Sequence, residues 1–219
     1  MTKFIYDRSL ILGGSKGIGK SITKFLKDIS KEVFAFSSKD VDLSNLDSVE
    51  KFLKKYTFAD ILVLNGGGPP NLKFEDISQE IWIKYFKQLF LSHCEILKKI
   101  KINDNGYIFY ISSSVIKEPD QNLIISSSLR IALSSVLKSL SIGYSKKKIS
   151  IIKIAPGPFK TDRVKDLIKD VSSYEKNLPL GMLGDPDEIG KFVKFIVENK
   201  IKYITGSTIF FDGNLTKSL

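Results

Sequence analysis

The sequence contains one cysteine, Cys94, and one histidine, His93, among 219 residues. A single cysteine can form neither an intramolecular disulfide nor a thiolate metal cluster. The helical apolar pattern around Cys94 is typical of a small buried side chain. A lone histidine with no cysteine or carboxylate at ligand spacing is more often structural than metal-binding, so we predict no metal site.

Long apolar runs are also missing. No run approaches the roughly 20 residues that a membrane-spanning helix needs. Residues 1–8 mix charged side chains with short apolar pieces and contain no signal-peptide core. Apolar residues make up 42% and charged residues 26% of the chain, as is usual for globular proteins. We therefore expect a cytoplasmic protein without a membrane partner.

Arginine is scarce. Arg8, Arg130 and Arg163 are the only arginines, so lysine supplies nearly all of the net charge of +10. The lysines are scattered along amphipathic stretches and form no single block with interleaved aromatic side chains. This distribution favours solvated helix faces over a nucleic-acid-binding surface, an alternative that would require salt-dependent binding to DNA or RNA. We therefore predict no nucleic-acid partner, although the charge suits anionic ligands such as phosphate-bearing cofactors.

Short β-branched or aromatic runs alternate with amphipathic stretches along the whole chain. The predicted strands are 9–12, 33–36, 41–42, 61–64, 107–111, 150–154 and 208–211. The predicted helices are 18–29, 46–55, 79–101, 123–145 and 186–198. Strands that are apolar on both faces and separated by helices predict a doubly wound α/β fold, a three-layer sandwich with a mainly parallel sheet of about seven strands. No repeat or linker interrupts the pattern, so residues 1–219 are predicted to form one domain.

A glycine-rich turn joins the first predicted strand to the first predicted helix. Glycine is required where the chain turns sharply and where the backbone approaches a pyrophosphate closely. The free N–H groups at the helix N-terminus then bind the phosphates. This strand–turn–helix context predicts a dinucleotide-binding loop of the Rossmann type, formed by Gly13, Ser15, Lys16, Gly17, Ile18 and Gly19.

The spacing Gly-x-x-x-Gly-x-Gly at Gly13, Gly17 and Gly19 resembles the short-chain dehydrogenase/reductase superfamily. Similar motifs extend over nearly the whole chain: Val41-Asp42-Leu43, Asn65-Gly66-Gly67-Gly68, Pro156-Gly157 with Thr161, and Tyr203-Ile204-Thr205-Gly206 with Asp212-Gly213. The resemblance implies further cofactor contacts: Asp42 and Leu43 at the adenine, Asn65, Gly66 and Gly67 at its ribose, and Pro156, Gly157 and Thr161 near the nicotinamide carboxamide.

The end of the second predicted strand indicates which dinucleotide is bound. NAD-preferring folds place an acidic residue there, which binds the ribose 2′-hydroxyl and would repel a 2′-phosphate. This chain has Ser37, Ser38 and Lys39 there, with no acid before Asp40. Lys16 stands where NADP-preferring relatives often carry a basic residue. These cations and hydroxyls favour NADP(H), with NAD(H) left open as the alternative.

The catalytic positions implied by the family are largely replaced. The family's serine corresponds to Ser113, whereas Ser126 stands in the position of its tyrosine and Arg130 in that of its lysine. The position of its asparagine is Leu89. With Lys117-Glu118-Pro119 upstream, this pattern is similar to an uncommon branch of the superfamily that carries Ser and Arg at the Tyr-x-x-x-Lys positions.

These replacements remove the family's usual path for a proton. A serine hydroxyl is shorter and a much weaker acid than a tyrosine hydroxyl, and leucine cannot order a water molecule. Arginine is always charged and cannot pass a proton, but it can donate hydrogen bonds to ribose hydroxyls. We predict Ser113, Ser126 and Arg130 as the catalytic residues, with Arg130 also contacting the cofactor. Ser127 and Ser128 are equally well explained by bonds to the helix backbone.

Two functions stay open. The first is an NADP(H)-dependent oxidoreductase that transfers a hydride to or from a small carbonyl, alcohol or related substrate. Its proton would come from water, from the substrate or from a residue such as Tyr174 in a substrate flap predicted at 158–177. The second is a catalytically inactive NADP(H)-binding sensor or partner subunit. The resemblance also implies a homodimer or homotetramer that pairs through the helices predicted at 79–101 and 123–145.

Overall fold

A computed structural model describes residues 4–218, which contain a parallel sheet of six strands. The strands are β1 (Tyr6–Leu12), β2 (Ser30–Phe36), β3 (Phe58–Leu64), β4 (Lys101–Ile111), β5 (Ser150–Pro156) and β6 (Ser207–Phe211). Their order in the sheet is β2-β1-β3-β4-β5-β6. The predicted doubly wound α/β fold is confirmed. The two ends of the predicted domain, residues 1–3 and 219, lie outside the described residues.

Helices cover both faces of the sheet. They are α1 (Gly17–Leu26), α2 (Leu46–Lys55), α3 (Gln79–Phe86), α4 (Ser92–Lys99), α5 (Ile124–Ser145), α6 (Asp162–Leu167), α7 (Val171–Lys176) and α8 (Pro186–Glu198). The bounds of α2 and α8 match the predicted helices. Both helices begin at side-chain caps, since Asn45 and Asp185 accept hydrogen bonds from the first-turn N–H groups.

The predicted helix 79–101 is interrupted. A π-helical turn, Lys87–Leu91, separates α3 from α4, and Lys101 already belongs to β4. A π turn inserts one extra residue into the helix and so changes which side chains face the core. Apolar periodicity alone did not reveal this local change. Leu89 lies in the π turn and is buried, and an apolar residue at this position is equally expected on the buried face of a regular helix.

Two apolar layers, one on each face of the sheet, form the core. Alternate residues along the strands face opposite sides. One set packs against α2, α4 and α5 and includes Leu10, Leu12, Leu62, Leu64, Ile108 and Ile151. The other set packs against α1 and α8 and includes Ile11, Ile61, Val63, Phe109, Ile152 and Ile154. Burial on both faces explains why these strands lack polar alternation.

The strand predicted at 41–42 is not formed, so the sheet has six strands instead of about seven. The stretch between β2 and α2 is a turn stabilised by local bonds. Asp42 N donates to Ser48 Oγ at 3.0 Å, and Asp42 Oδ1 accepts from Ser44 N at 2.9 Å. Val41 is buried as predicted for a strand, but through the turn. Consequently β2 forms one edge of the sheet.

Candidate active site

A cavity of about 1190 Å³ opens where the parallel strands end. The strand order reverses between β1 and β3, and ligands of doubly wound sheets bind at such a switch point, outside the carboxyl ends of the strands. The turns that follow β1, β3, β4 and β5 all contribute to the cavity wall. Its volume exceeds the roughly 300–1,000 Å³ of the usual small-ligand pocket. The cavity can therefore hold a ligand of dinucleotide size.

The glycine-rich turn between β1 and α1 has a conformation that side chains would disrupt. Gly13 and Gly17 have φ angles of +59° and +49°, a region that few other residues adopt. A Cβ atom on Gly19 would lie 2.1 Å from the carbonyl oxygen of Gly13. The N-cap residue Lys16 makes no side-chain bond to α1. The first N–H groups of the helix are thus left for a ligand.

Most residues predicted to contact the cofactor lie on the wall of this cavity. They are Gly13, Ser15, Lys16, Gly17, Ile18, Ser37, Ser38, Asp42, Leu43, Asn65, Gly66, Gly67, Arg130, Pro156, Gly157 and Thr161. Gly19 packs behind the turn against Gly13, and Lys39 is exposed away from the wall. The predicted catalytic residues Ser113, Ser126 and Arg130 line the same cavity. Their roles toward a cofactor or substrate stay predictions.

The turn after β2, where a 2′-phosphate is expected, contains a carboxylate. Asp40 Oδ2 accepts hydrogen bonds from Ser37 N at 2.8 Å and from Ser37 Oγ at 2.7 Å. These two bonds hold the pKa of Asp40 below its usual range. One of the two hydroxyls predicted to receive the phosphate is therefore already bonded to an anion. The other, on Ser38, lies on the cavity wall with Lys16.

Arg130 on α5 is buried at the base of the cavity, with 6% of its surface exposed. Its Nε donates to Ser126 Oγ at 3.1 Å, and its Nη1 donates to the Ile111 carbonyl at 2.9 Å. Its Nη2 donates to the Gly66 carbonyl at 3.3 Å. The guanidinium thus connects α5 to the ends of β4 and β3, and a permanent positive charge lies beside Ser126.

The three consecutive serines of α5 have different environments. Ser127 Oγ donates to the Ile124 carbonyl at 3.1 Å, and Ser128 Oγ donates to the same carbonyl at 2.7 Å. These bonds satisfy the backbone of the preceding turn, as the alternative explanation of these residues predicts. Ser126 Oγ instead accepts from Arg130 and lines the cavity, so its own proton can be donated to a ligand.

A group of buried polar side chains lies behind Arg130, and sequence reasoning assigned it no role. Within the described part of the chain, neither ring nitrogen of His93 has a hydrogen-bond partner, nor do Tyr110 OH and Ser112 Oγ. Burial, and then the charge of Arg130, lower the pKa of His93 to about 3. His93 is therefore neutral at physiological pH. In the sequence, the only indication that His93 lies near the site was its position four residues, or one helical turn, after Leu89.

Arg163 on α6 is a second arginine on the cavity wall. Its Nη2 donates to the Pro69 carbonyl, and a Cβ atom on Gly68 would lie 3.2 Å from the same nitrogen. Burial, and then the charge of Arg130, lower the pKa of Arg163. Sequence reasoning missed this residue, although it is one of three arginines and follows Thr161 by two positions.

Comparison with known proteins gives the class of this chain. A sequence model of the family described as Enoyl-(Acyl carrier protein) reductase matches residues 15–216. The chain is 30% identical to 3-oxoacyl-(acyl-carrier-protein) reductase FabG of Rickettsia felis over an alignment of 233 positions, gaps included. The alignment covers 94% of this chain and 95% of that protein. The chain therefore belongs to the short-chain dehydrogenase/reductase superfamily.

Two further similarities agree in extent. The chain is 26% identical to the NADPH-dependent reductase BacG of Bacillus subtilis over an alignment of 258 positions, gaps included. The alignment covers 96% of this chain and 98% of BacG. The crystal structure of YwfH, described as an NADPH-dependent reductase involved in bacilysin biosynthesis, superposes with a TM-score of 0.83 at 21% identity. That match covers 98% of this chain and 100% of YwfH. Among residues 4–218, no helix is long and apolar enough to cross a membrane.

Proposed function

We propose that this chain is an NADP(H)-dependent reductase of the short-chain dehydrogenase/reductase type with a non-standard active site. The observation that carries the proposal is that one cavity joins the glycine-rich turn to Ser113, Ser126 and Arg130. The turn is closed so tightly at Gly13 and Gly19 that only backbone can approach a bound phosphate there. The predicted catalytic residues and a bound cofactor would then meet beside the loop after β3.

The preference for NADP(H) has two kinds of support. Lys16, Ser37 and Ser38 line the end of the cavity where a 2′-phosphate would lie. BacG and YwfH are both described as NADPH-dependent. Asp40 opposes this preference, but its carboxylate already accepts two hydrogen bonds from Ser37. We place NADP(H) ahead of NAD(H) on this balance of charges.

Arg130 would stabilise negative charge in the reaction. When bound, NADPH supplies a hydride, and negative charge then develops on the substrate oxygen. A fixed cation in a buried site stabilises such charge strongly because little water screens it. Ser113 and Ser126 would orient the oxygen, and Ser126 is held for this purpose by Arg130 Nε. Arg130 cannot supply the proton, since its guanidinium stays charged.

The proton would come from water or from Tyr174. Tyr174 lies on the cavity wall, and burial raises the pKa of its hydroxyl. The hydroxyl carries its proton at neutral pH, as any tyrosine does, and would donate it to an oxygen that has received negative charge; the raised pKa makes it a weaker acid than an exposed tyrosine. The Ser126 hydroxyl is too weak an acid to replace the tyrosine of other family members.

A non-catalytic NADP(H)-binding sensor or partner subunit is the second candidate. It is favoured by the three hydrogen bonds of Arg130, all of which go to groups of the protein itself. Such an arginine could serve only to hold α5 against β3 and β4. The cofactor cavity would then be kept while the chemistry was lost.

Binding and turnover experiments separate the two candidates. NADPH and NADH should be titrated into the protein calorimetrically, and NADPH oxidation should then be followed with ketones, enones and imines. The reductase proposal expects turnover of at least one class, with kcat about 100-fold lower in Ser113→Ala and the NADPH Kd unchanged. Ser128→Ala is the matched control, because Ser128 bonds only to its own helix. NADPH binding without turnover across the panel would support the sensor.

We also propose that the chain forms a single domain and that residues 158–177 form a substrate flap on it. Val164 on α6 packs with Leu178 and Leu183 in a small apolar cluster separate from the two main core layers. Phe159, near the start of the segment, belongs to the core layer against α1 and α8, so the residues after it are the part that can move without disturbing the sheet. Limited proteolysis with and without NADPH would test this, since closure should protect the flap.

A homodimer or homotetramer is the proposed assembly. Ile83 and Phe86 on α3 and Ile131 on α5 are exposed although large and apolar. Exposed apolar side chains on neighbouring helices are suited to burial between subunits. Light scattering would test the assembly, and Ile131→Asp should yield monomers. The cytoplasmic location stays a prediction.

A further inference from the structure

Arg130 and Arg163 hold the same loop at two points. Arg130 Nη2 donates to the carbonyl of Gly66 at 3.3 Å, and Arg163 Nη2 donates to the carbonyl of Pro69. Between these two carbonyls lie Gly67 and Gly68, which both face the cavity. The two guanidiniums are therefore bonded to the carbonyls that flank a two-residue stretch of bare backbone.

Neither of these two arginines forms an ion pair within the described residues. Within residues 4–218, no carboxylate oxygen lies within 4.0 Å of a nitrogen of either guanidinium. Arg130 is buried and Arg163 half-buried, and the charge of Arg130 helps to lower the pKa of Arg163. Buried charges in proteins are normally paired. An anion between the two guanidiniums would supply the missing partner.

Both side chains have N–H groups left for such an anion. A guanidinium has five N–H groups in one plane. Arg130 uses three of them in its bonds to Ser126, Ile111 and Gly66. Arg163 has one hydrogen bond, to Pro69. Arg163 therefore keeps at least one planar pair of donors that matches the two oxygens of a carboxylate, and Arg130 keeps two single N–H groups.

Acidic residues on the cavity wall do not fill this role. Glu118 Oε1 accepts hydrogen bonds from the backbone N–H groups of Lys217 and Ser218. Asp120 Oδ1 accepts from Asn122 N at 2.7 Å. Asp166 lies near enough to Arg163 to offset part of the lowering of its pKa, although not within ion-pair distance. Asp166 is therefore the internal competitor for an anion at Arg163.

Apolar side chains form part of the cavity wall, beside polar ones such as Asn71 and Gln88. The side chains Val115, Leu123, Phe159, Val164, Leu167 and Leu215 line the cavity. A ligand that places an anionic group between the arginines would meet these side chains with the rest of its surface. Such a wall favours an apolar or aromatic body.

We propose that the substrate is a carboxylic acid whose carboxylate binds between Arg130 and Arg163 over Gly67 and Gly68, with its apolar body against the flap. That the bound acid is a substrate rests on the proposed function, whereas the anion site itself does not. The same site assigns Arg163 a role in substrate specificity, whereas Arg130 would contact the carboxylate in addition to the charge stabilisation proposed for it.

Benzoate and its neutral isostere benzamide are suitable probes, titrated calorimetrically into the full-length protein saturated with NADP⁺. We expect benzoate to bind at least about tenfold more tightly than benzamide. Arg163→Gln should weaken benzoate binding about tenfold while the NADPH Kd stays within about twofold. Lys165→Gln is the control, since Lys165 is an exposed cation on the same helix. Asp166→Asn should tighten benzoate binding because it removes the competing carboxylate.

The possible outcomes separate this inference from the proposed function. Equal binding of benzoate and benzamide to the wild-type protein would overturn the inference without using any variant. Displacement of NADP⁺ by benzoate would also overturn it, because the site would then belong to the cofactor phosphates. If NADPH itself does not bind, the proposed function fails, and the benzoate–benzamide comparison in its absence still tests the anion site. If Arg163→Gln fails to fold, Arg163→Lys keeps the charge and loses the paired donors, and should weaken benzoate similarly.

Discussion

The two ends of the cavity are built in different ways. The nucleotide end, at the turn after β1, is shaped by backbone: positive φ angles at Gly13 and Gly17 and a carbonyl 2.1 Å from where a Gly19 Cβ would be. The reaction end is shaped by buried side chains around Arg130. Asn65 joins the two, since its Nδ2 donates to the Gly13 carbonyl at 3.0 Å and the next residue accepts from Arg130.

This difference indicates which end can change its chemistry. A site made of backbone depends on main-chain geometry, so side chains can vary only where they point away from it. A site made of side chains can exchange its functional groups while the strands behind it keep their places. The proposed replacement of the family's tyrosine and lysine by Ser126 and Arg130 would be such an exchange. Four substitutions test the contrast.

Gly19→Ala should have the largest effect. The added methyl group would overlap the Gly13 carbonyl, which is backbone and cannot swing away. We expect a loss of about 4 kcal/mol in the free energy of unfolding and no measurable NADPH binding. Urea denaturation and calorimetry check both. Gly143→Ala on α5 is the control: nothing lies within 4 Å of its Cβ position, so alanine should stabilise the helix by up to about 1 kcal/mol. Wild-type stability in Gly19→Ala would contradict the backbone-built description.

His93→Phe should change the pH dependence of stability at the reaction end. Burial lowers the pKa of His93 from 6.5 to about 3. The unfolded chain therefore binds a proton between these values that the folded chain does not, and stability falls as the pH decreases through that range. Between about pH 7 and about pH 4.5, the wild type should lose about 2.5 kcal/mol more than the variant. Parallel urea titrations at the two pH values measure the difference, and equal losses would show that His93 is not held neutral.

Arg130→Met should destabilise the protein by about 2 kcal/mol. The methionine fills similar space, but the carbonyls of Ile111 and Gly66 lose their donor. Removal of an unpaired buried charge offsets part of this cost. Lys54→Met is the control, because Lys54 forms an exposed ion pair with Glu50 and should change stability by less than about 0.5 kcal/mol. Calorimetry should still find NADPH binding in Arg130→Met if the nucleotide end is independent.

Asp40→Asn should have the smallest effect. Removing one exposed negative charge near the expected 2′-phosphate should tighten NADPH binding by about threefold and leave NADH binding unchanged. The amide can still accept the bond from Ser37 N, so the turn should keep its shape. Ratios of the two dissociation constants, measured at low ionic strength, provide the test. A parallel change for NADH would mean that the turn itself had moved.

Much of the fold was predictable because its determinants are local. The strands are apolar on both faces, and α2 and α8 carry their N-caps in the adjacent sequence, at Asn45 and Asp185. The errors arose where tertiary packing decides. Val41 is buried like a strand residue but lies in a turn. The π turn Lys87–Leu91 interrupts a segment that the apolar spacing had indicated as one continuous helix.

The site was likewise predictable only where its determinants are local in sequence. The glycine spacing predicted the turn because each glycine answers a constraint within seven consecutive residues. The significance of Arg163 depends on Pro69, 94 positions away in sequence. Likewise, Arg130 and Gly66 are 64 positions apart. Which carbonyls an arginine bonds, and whether a carboxylate is near, cannot be derived from residue spacing.

The single histidine has a practical consequence. Because His93 is the only imidazole in the chain and lies beside Gly66, its ring nitrogens give one unambiguous pair of signals in a nitrogen-15 NMR spectrum. No site-specific label is needed to observe it. Any ligand that moves the loop after β3 or the guanidinium of Arg130 will shift that pair, so this side chain is a resident spectroscopic probe of events it takes no part in.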